Sequence, residues 1–159
     1  MKYKLKDIIL NDIDFSKVEL QNGTIYNIKY KNDSLEFQTP KMVVDSLLSE
    51  NEKEYLVLKI IGTQACKTFC SKITEIEELF KNHLKGDIKS VFHEEFVTVK
   101  IPMRYSRSLV KVYREDSLFN YYHLEKNMEV ICLVSIDKIW SNNFDESSYH
   151  LNVKEIMVI

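Results

Sequence analysis

A mainly β (α+β) fold with one inserted α-helix is what this 159-residue sequence predicts. Two observations carry the prediction. Short segments with period-two alternation, rich in β-branched and aromatic residues, lie on both sides of one stretch whose apolar residues recur every three or four positions. The connections among the strand-like segments are of hairpin length, which favours a small antiparallel barrel or sandwich over a βαβ fold.

Taken in order, Asn22-Gly23 is a tight-hairpin signal between residues 18–20 and 24–30. Lys31-Asn32-Asp33-Ser34 marks the next turn and leads into Leu35-Glu36-Phe37-Gln38-Thr39, which alternates with period two. Residues 55–61 are β-branched and mostly apolar, as in a central strand, and Gly62 ends them. Then the period changes. Phe69, Ile73, Ile76, Phe80 and His83 or Leu84 form one face of a helix over about residues 64–85. Thr63 is its N-cap, and Leu84-Lys85-Gly86 a glycine C-cap with a cation in the last turn. Lys72, Glu75, Glu77, Glu78 and Lys81 are expected on its exposed face.

Strand patterns return at residues 96–101, where Val97, Val99 and Ile101 share a side and Pro102 closes the segment. Residues 109–113 form a second short strand, and residues 129–140 one long strand apolar enough to be covered on both faces. A polar loop over 141–148 leads to strands at 149–153 and 156–159. The helix thus falls between the third or fourth strand and those that follow. That order fits an OB-like small antiparallel barrel, in which a helix also lies between the third and fourth of five strands, and residues 1–159 read as a single domain.

Composition narrows the function. A formal charge of −2 and a pI near 6.1 exclude a small basic nucleic-acid packager, so an anionic partner needs a local patch. Cys66 and Cys70 stand one helical turn apart and Cys132 lies in a strand, which is no secreted disulfide framework and implies a reducing, intracellular setting. The opening residues carry no leader pattern and no stretch reaches the ~20 apolar residues of a membrane span, so no membrane partner is expected. Zinc needs four ligands and no CxxC or HxxxH pair supplies them, so the cysteines read as small packing hydrophobes. His83, His93, His123 and His150 are scattered, and three glycines leave no room for a phosphate-cradling loop. The expectation is a binding protein, with no catalytic residue, no metal and no cofactor.

Arginine carries the best lead. The chain's only three are Arg104, Arg107 and Arg114, with Lys100 and Lys111 among them, and no acidic residue occurs from Phe96 through Arg114. Tyr105 and Tyr113 are interleaved, and Phe119, Tyr121 and Tyr122 follow. Guanidinium groups present a planar fork to phosphate and aromatic rings a platform for bases, the pairing that a single-stranded nucleic-acid groove needs. The same segment reads equally as a solvated strand–loop–strand whose charges pair with Glu94, Glu95, Glu115 and Asp116. Trp140 can stack on a base from a strand end, although a buried, mouth-closing role is the commoner use of such a ring.

Two stretches resemble proteins of large nucleo-cytoplasmic DNA viruses. One is Leu35-Glu36-Phe37-Gln38-Thr39-Pro40-Lys41-Met42, similar to their apolar-x-apolar-Gln-Thr-Pro strand. The other is the closing pattern: Glu129-Val130, then Ile136-x-x-Ile139-Trp140, a polar loop, and Tyr149-x-Leu151-x-Val153-x-x-Ile156-x-Val158. That group includes OB-fold single-stranded-DNA-binding proteins related to those of short-tailed phages. The resemblance implies a replication or repair role in the host cytoplasm or nucleus. It departs in one respect: such proteins usually carry a flexible acidic tail, whereas Glu155-Ile156-Met157-Val158-Ile159 reads as a strand.

Two functions follow. The first is binding of single-stranded DNA by Lys100, Arg104, Arg107, Lys111 and Arg114, with stacking on Tyr105, Tyr113, Phe119, Tyr121, Tyr122 and Trp140; RNA stays open, because a 2′-hydroxyl contact leaves no motif. The second is a structural role in a virion or multisubunit complex. There residues 156–159 and the aromatic cluster at 119–122 contact other virion proteins or a second copy, and an unpaired terminal strand is its signature.

Overall fold

The computed structural model describes residues 3–84, 86–144 and 146–159. In chain order its main elements are β1 (Ile13–Leu20), β2 (Gly23–Tyr30), β3 (Leu35–Gln38), β4 (Met42–Glu50), β5 (Lys53–Lys59), α1 (Gln64–Leu84), β6 (Phe96–Ile101), β7 (Lys111–Arg114), β8 (Ser117–Phe119), β9 (Glu129–Ile136), β10 (Lys138–Asn142), β11 (Ser147–Tyr149) and β12 (Asn152–Val158).

A five-stranded barrel closes through β4–β5–β6–β12–β9 and back to β3 and β4, which together flank β9. Every contact in this ring is antiparallel except the short parallel step between β6 and β12 at Lys100 and Asn152. Counting β3 and β4 as one bent strand, the ring runs first, second, third, fifth, fourth, which is the OB-like order. Pro40 cannot donate to a ladder and forces the bend. Thr39 bridges the gap: its N–H donates to the Cys132 carbonyl at 2.8 Å and its Oγ1 accepts from the Cys132 N–H at 3.0 Å. The Gln-Thr-Pro stretch is therefore a hinge that keeps its pairing.

The barrel interior is filled by Met42, Val44, Leu56, Leu58, Val97, Val99, Val130, Cys132 and Ile156, all buried. Fully burying one such aliphatic side chain contributes roughly 1.5–3 kcal/mol. A second sheet runs β1–β2–β10–β11 and ends on the two residues Ile88 and Lys89.

Several expectations change, among them the strands at 149–153 and 156–159, which are β11 at Ser147–Tyr149 and the single strand β12 at Asn152–Val158. The strand expected over 129–140 is two, β9 in the barrel and β10 in the second sheet. Asp137 makes the switch: its carbonyl accepts from Ile28 N–H at 2.9 Å, and its carboxylate accepts from Ser135 and from Asn152. Strand β4, absent from the sequence-based expectations, lacks a period-two signature because a bulge lies between Val44 and Ser46 and shifts the alternation by one residue. The helix lies between the second and third barrel strands, since the hairpin of β1 and β2 belongs to the other sheet. Finally, Glu77 is buried and not on the exposed helix face. It stands four residues after Ile73 and three before Phe80, on the apolar stripe itself.

Helix α1 otherwise follows its pattern. Thr63 Oγ1 accepts from Cys66 N–H at 3.2 Å as the N-cap, and Gly86 N–H donates to the Lys81 carbonyl at 3.3 Å beyond the last turn. Lys85 of the expected cap lies outside the described residues. Phe80 meets Phe15 of β1 and Tyr149 of β11 edge-on, joining the helix to the second sheet. Among the described residues, no helix is long and apolar enough to cross a membrane.

Gly23 begins β2 because nothing larger fits. A Cβ there would stand 2.3 Å from the Ser141 carbonyl oxygen and 3.0 Å from the Trp140 ring. Gly23→Ala is expected to cost about 2 kcal/mol through this overpacking, measured by urea unfolding.

Candidate nucleic-acid groove

Two clefts of about 790 and 530 Å³ share Glu52, Lys53 and Met103 and so form one groove. The larger crosses the outer face of the barrel where β5, β6 and β12 run side by side, and it reaches Asp137, Lys138 and Asn27 at the edge of the second sheet. The smaller lies between two turns. One is the β4–β5 turn, with Asn51 and Glu52 at positive φ; the other is a tight hairpin in which Met103–Arg104 pairs with Arg107–Ser108. Tyr105 and Ser106 form that hairpin's tip at φ 51 and 61°, in the left-handed region where non-glycine residues are uncommon.

The larger cleft is lined by Lys53, Lys100, Lys138 and Lys154, with Glu52 and Asp137 as its acidic residues. Among the described residues none of these four lysines is ion-paired, whereas Lys17, Lys41, Lys59, Lys72, Lys81 and Lys126 all are. Burial lowers the Lys100 pKa, and the charges of Lys53 and Lys138 lower it further. Beside them His150 is depressed to about 4, first by burial and then by Lys100, Lys53 and Lys89; its ring also meets Tyr55 of β5. Such mutual repulsion among cations is relieved by a bound anion.

The His150 shift has a consequence for stability. An unfolded histidine titrates near about 6.5, so as pH falls the unfolded chain takes up this proton before the folded one does. Stability is therefore full above about pH 6.5 and is lost towards pH 4. Solvent screening at this half-buried ring holds the loss to about 1–2 kcal/mol. Thermal melts at roughly pH 7.5 and 5 check it, with His150→Gln abolishing that part of the difference.

The sequence-predicted residues divide. Lys100 lines the larger cleft, and Arg104, Tyr105 and Tyr122 line the smaller. The Arg104 guanidinium lies 5.3 Å from the Tyr105 ring centroid, and Tyr105 is 86% exposed. Arg107 is opposite Arg104 across the hairpin and also exposed. Lys111, Tyr113, Arg114 and Phe119 stand on the β7–β8 hairpin and line neither cleft; Phe119 packs partly into the core. Tyr121 is buried. Trp140, in the second sheet, has its ring against Gly23. Among the described residues the expected pairing of the basic segment with its acidic borders is not found, and Glu95 pairs with Lys59 instead.

Lys53, Lys138, Lys154 and Asn27 were invisible to sequence reasoning, as single polar residues from four distant segments. The one available signal was alternation placing Lys53 and Tyr55 on the outer side of a strand. The terminal strand does not show the free edge that the assembly role required: β12 pairs with β9 on one side and with β6 and β7 on the other, and Ile156 and Val158 are buried. The thiols are free, and burial raises the Cys70 pKa and pushes Cys132 up to about 12.

No protein-family model and no curated protein matches the sequence. Solved structures do. The fold is similar to gp2.5, a single-stranded DNA binding protein encoded by bacteriophage T7, at 9% identity and TM-score 0.53 over 77% of this chain and 85% of that one. It is similar to the single-stranded DNA-binding protein of bacteriophage Enc34 at 12% identity and TM-score 0.52, over 91% and 89%. Both neighbours are phage proteins and neither comes from a large nucleo-cytoplasmic DNA virus. At these identities the likeness establishes the OB-like fold.

Proposed function

We propose that the chain acts as one unit that binds single-stranded DNA in this groove, in support of viral DNA replication or repair, and catalyses no reaction. The carrying observation is the convergence of Lys53, Lys100, Lys138 and Lys154, none of them ion-paired among the described residues, on one cleft. That cleft crosses the second and third barrel strands between the first–second and fourth–fifth connections, the surface on which OB folds bind oligonucleotides. Arg104 and Tyr105 at the groove's other end add a cation and a ring on a projecting hairpin. Two phage proteins of similar fold are single-stranded DNA-binding proteins, which supports this reading.

In this reading the lysines neutralise phosphates and the tyrosines stack on bases. Fluorescence anisotropy with a labelled strand of about 15 nucleotides tests it, since OB folds occupy roughly 4–16. Binding should weaken steeply between roughly 50 and 200 mM salt, and duplex of the same sequence should bind worse. Affinity indifferent to salt, or a preference for duplex, contradicts the reading.

A further inference from the structure

Glu54 breaks the pattern of its own strand. Along β5 the buried positions are Glu54, Leu56 and Leu58, so Glu54 takes the first inward place of a barrel strand, opposite Ile101, where alternation calls for an apolar side chain. It is 6% exposed, yet it lines the smaller cleft together with Arg104, Tyr105 and Tyr122. Its carboxylate accepts a hydrogen bond from Ser49 Oγ, which leaves acceptor capacity open. The buried Tyr121 hydroxyl lies near it, and burial first, then the Glu54 charge, holds that proton on.

In the smaller cleft Lys53 and Arg104 are matched by Glu52 and Glu54, so it lacks the excess positive charge that draws phosphate to the lysine-lined cleft. A flat heterocycle with N–H donors on its edge suits it: the rings take the face, and the carboxylate takes the donor. Glu77 breaks the same rule as a structural anchor with three donors, whereas Glu54 opens onto a cleft.

We infer that the smaller cleft holds one base of the bound strand and that Glu54 reads it, accepting from an exocyclic amine and so favouring amine-bearing bases over thymine. This rests on the groove being a nucleic-acid site. Cytosine and thymine are both single-ring pyrimidines that differ in presenting an amine or a carbonyl at C4, and also in the thymine 5-methyl and N3–H, so N4-dimethylated cytosine supplies the control for the amine itself.

The test compares oligo(dC), oligo(dT) and oligo(N4,N4-dimethyl-dC) of one length at one salt concentration. Dimethylation removes both amine donors without touching the protein. Oligo(dC) should bind about ten-fold more tightly than oligo(dT), as a hydrogen bond to a buried charge implies. Dimethylation should bring the affinity down to that of oligo(dT), and Glu54→Gln, which can also donate, should narrow the gap. Equal binding of oligo(dC) and oligo(dT), or dimethylated strands binding as oligo(dC) does, overturns the inference and leaves the groove reading intact. Binding to none of the three overturns both.

Discussion

Replacing Lys53, Lys100 and Lys138 together by alanine is expected to weaken binding of single-stranded DNA about 100-fold at roughly 0.1 M salt. Each phosphate contact on a single strand contributes about 0.7 to the slope of log affinity against log salt, so three lost contacts flatten it by about 2. The three residues come from β5, β6 and β10 and meet only in the groove. Lys100, half-buried among like charges, should be the strongest single contributor. The matching control removes Lys17, Lys59 and Lys81, which are ion-paired elsewhere, and should leave affinity within about two-fold. Anisotropy titrations at three salt concentrations measure both slope and affinity. A triple variant that keeps the wild-type slope would show that the phosphates lie elsewhere.

The largest effect on stability is expected at Glu77. Its buried carboxylate accepts from Ser90 Oγ at 3.0 Å, Val91 N–H at 3.3 Å and Tyr149 Oη at 2.5 Å, tying α1 to the segment after it and to β11. Glu77→Ala strands three donors, two of them on buried residues, and should cost about 3 kcal/mol. Glu77→Gln keeps one acceptor oxygen and should cost less. Burial and the Glu77 charge hold the Tyr149 proton on, so Tyr149 remains a donor through the working pH range. Urea unfolding would show a lower midpoint at unchanged slope, and a loss below about 0.5 kcal/mol would mean the carboxylate is not a structural anchor.

These two sites show what was legible in the chain and what was not. Helix α1 could be read because Phe69, Ile73, Ile76 and Phe80 keep one period, and β6 because Val97, Val99 and Ile101 keep another. Glu77 was misplaced because a charge on an apolar stripe looks like the edge of the polar face until its donors, 13 to 72 residues away, are known. The second sheet was missed because Asp137 interrupts an apolar run without glycine or proline to mark the switch. At the groove, clustering in sequence exposed Arg104 and Tyr105, which share a hairpin. It also drew in Lys111, Tyr113 and Arg114, which the next hairpin carries elsewhere. Lys53, Lys138 and Lys154 sit in unremarkable strands, and only the closing of the barrel puts them beside Lys100.

Backbone amide shifts in an NMR titration with unlabelled single-stranded DNA bear most directly on where the strand lies. The groove predicts changes concentrated at residues 50–54, 100–106, 137–138 and 152–154, with β7, β8 and the exposed face of α1 unmoved. Changes clustered on the β7–β8 hairpin around Lys111–Arg114, or none at a DNA excess, would contradict it.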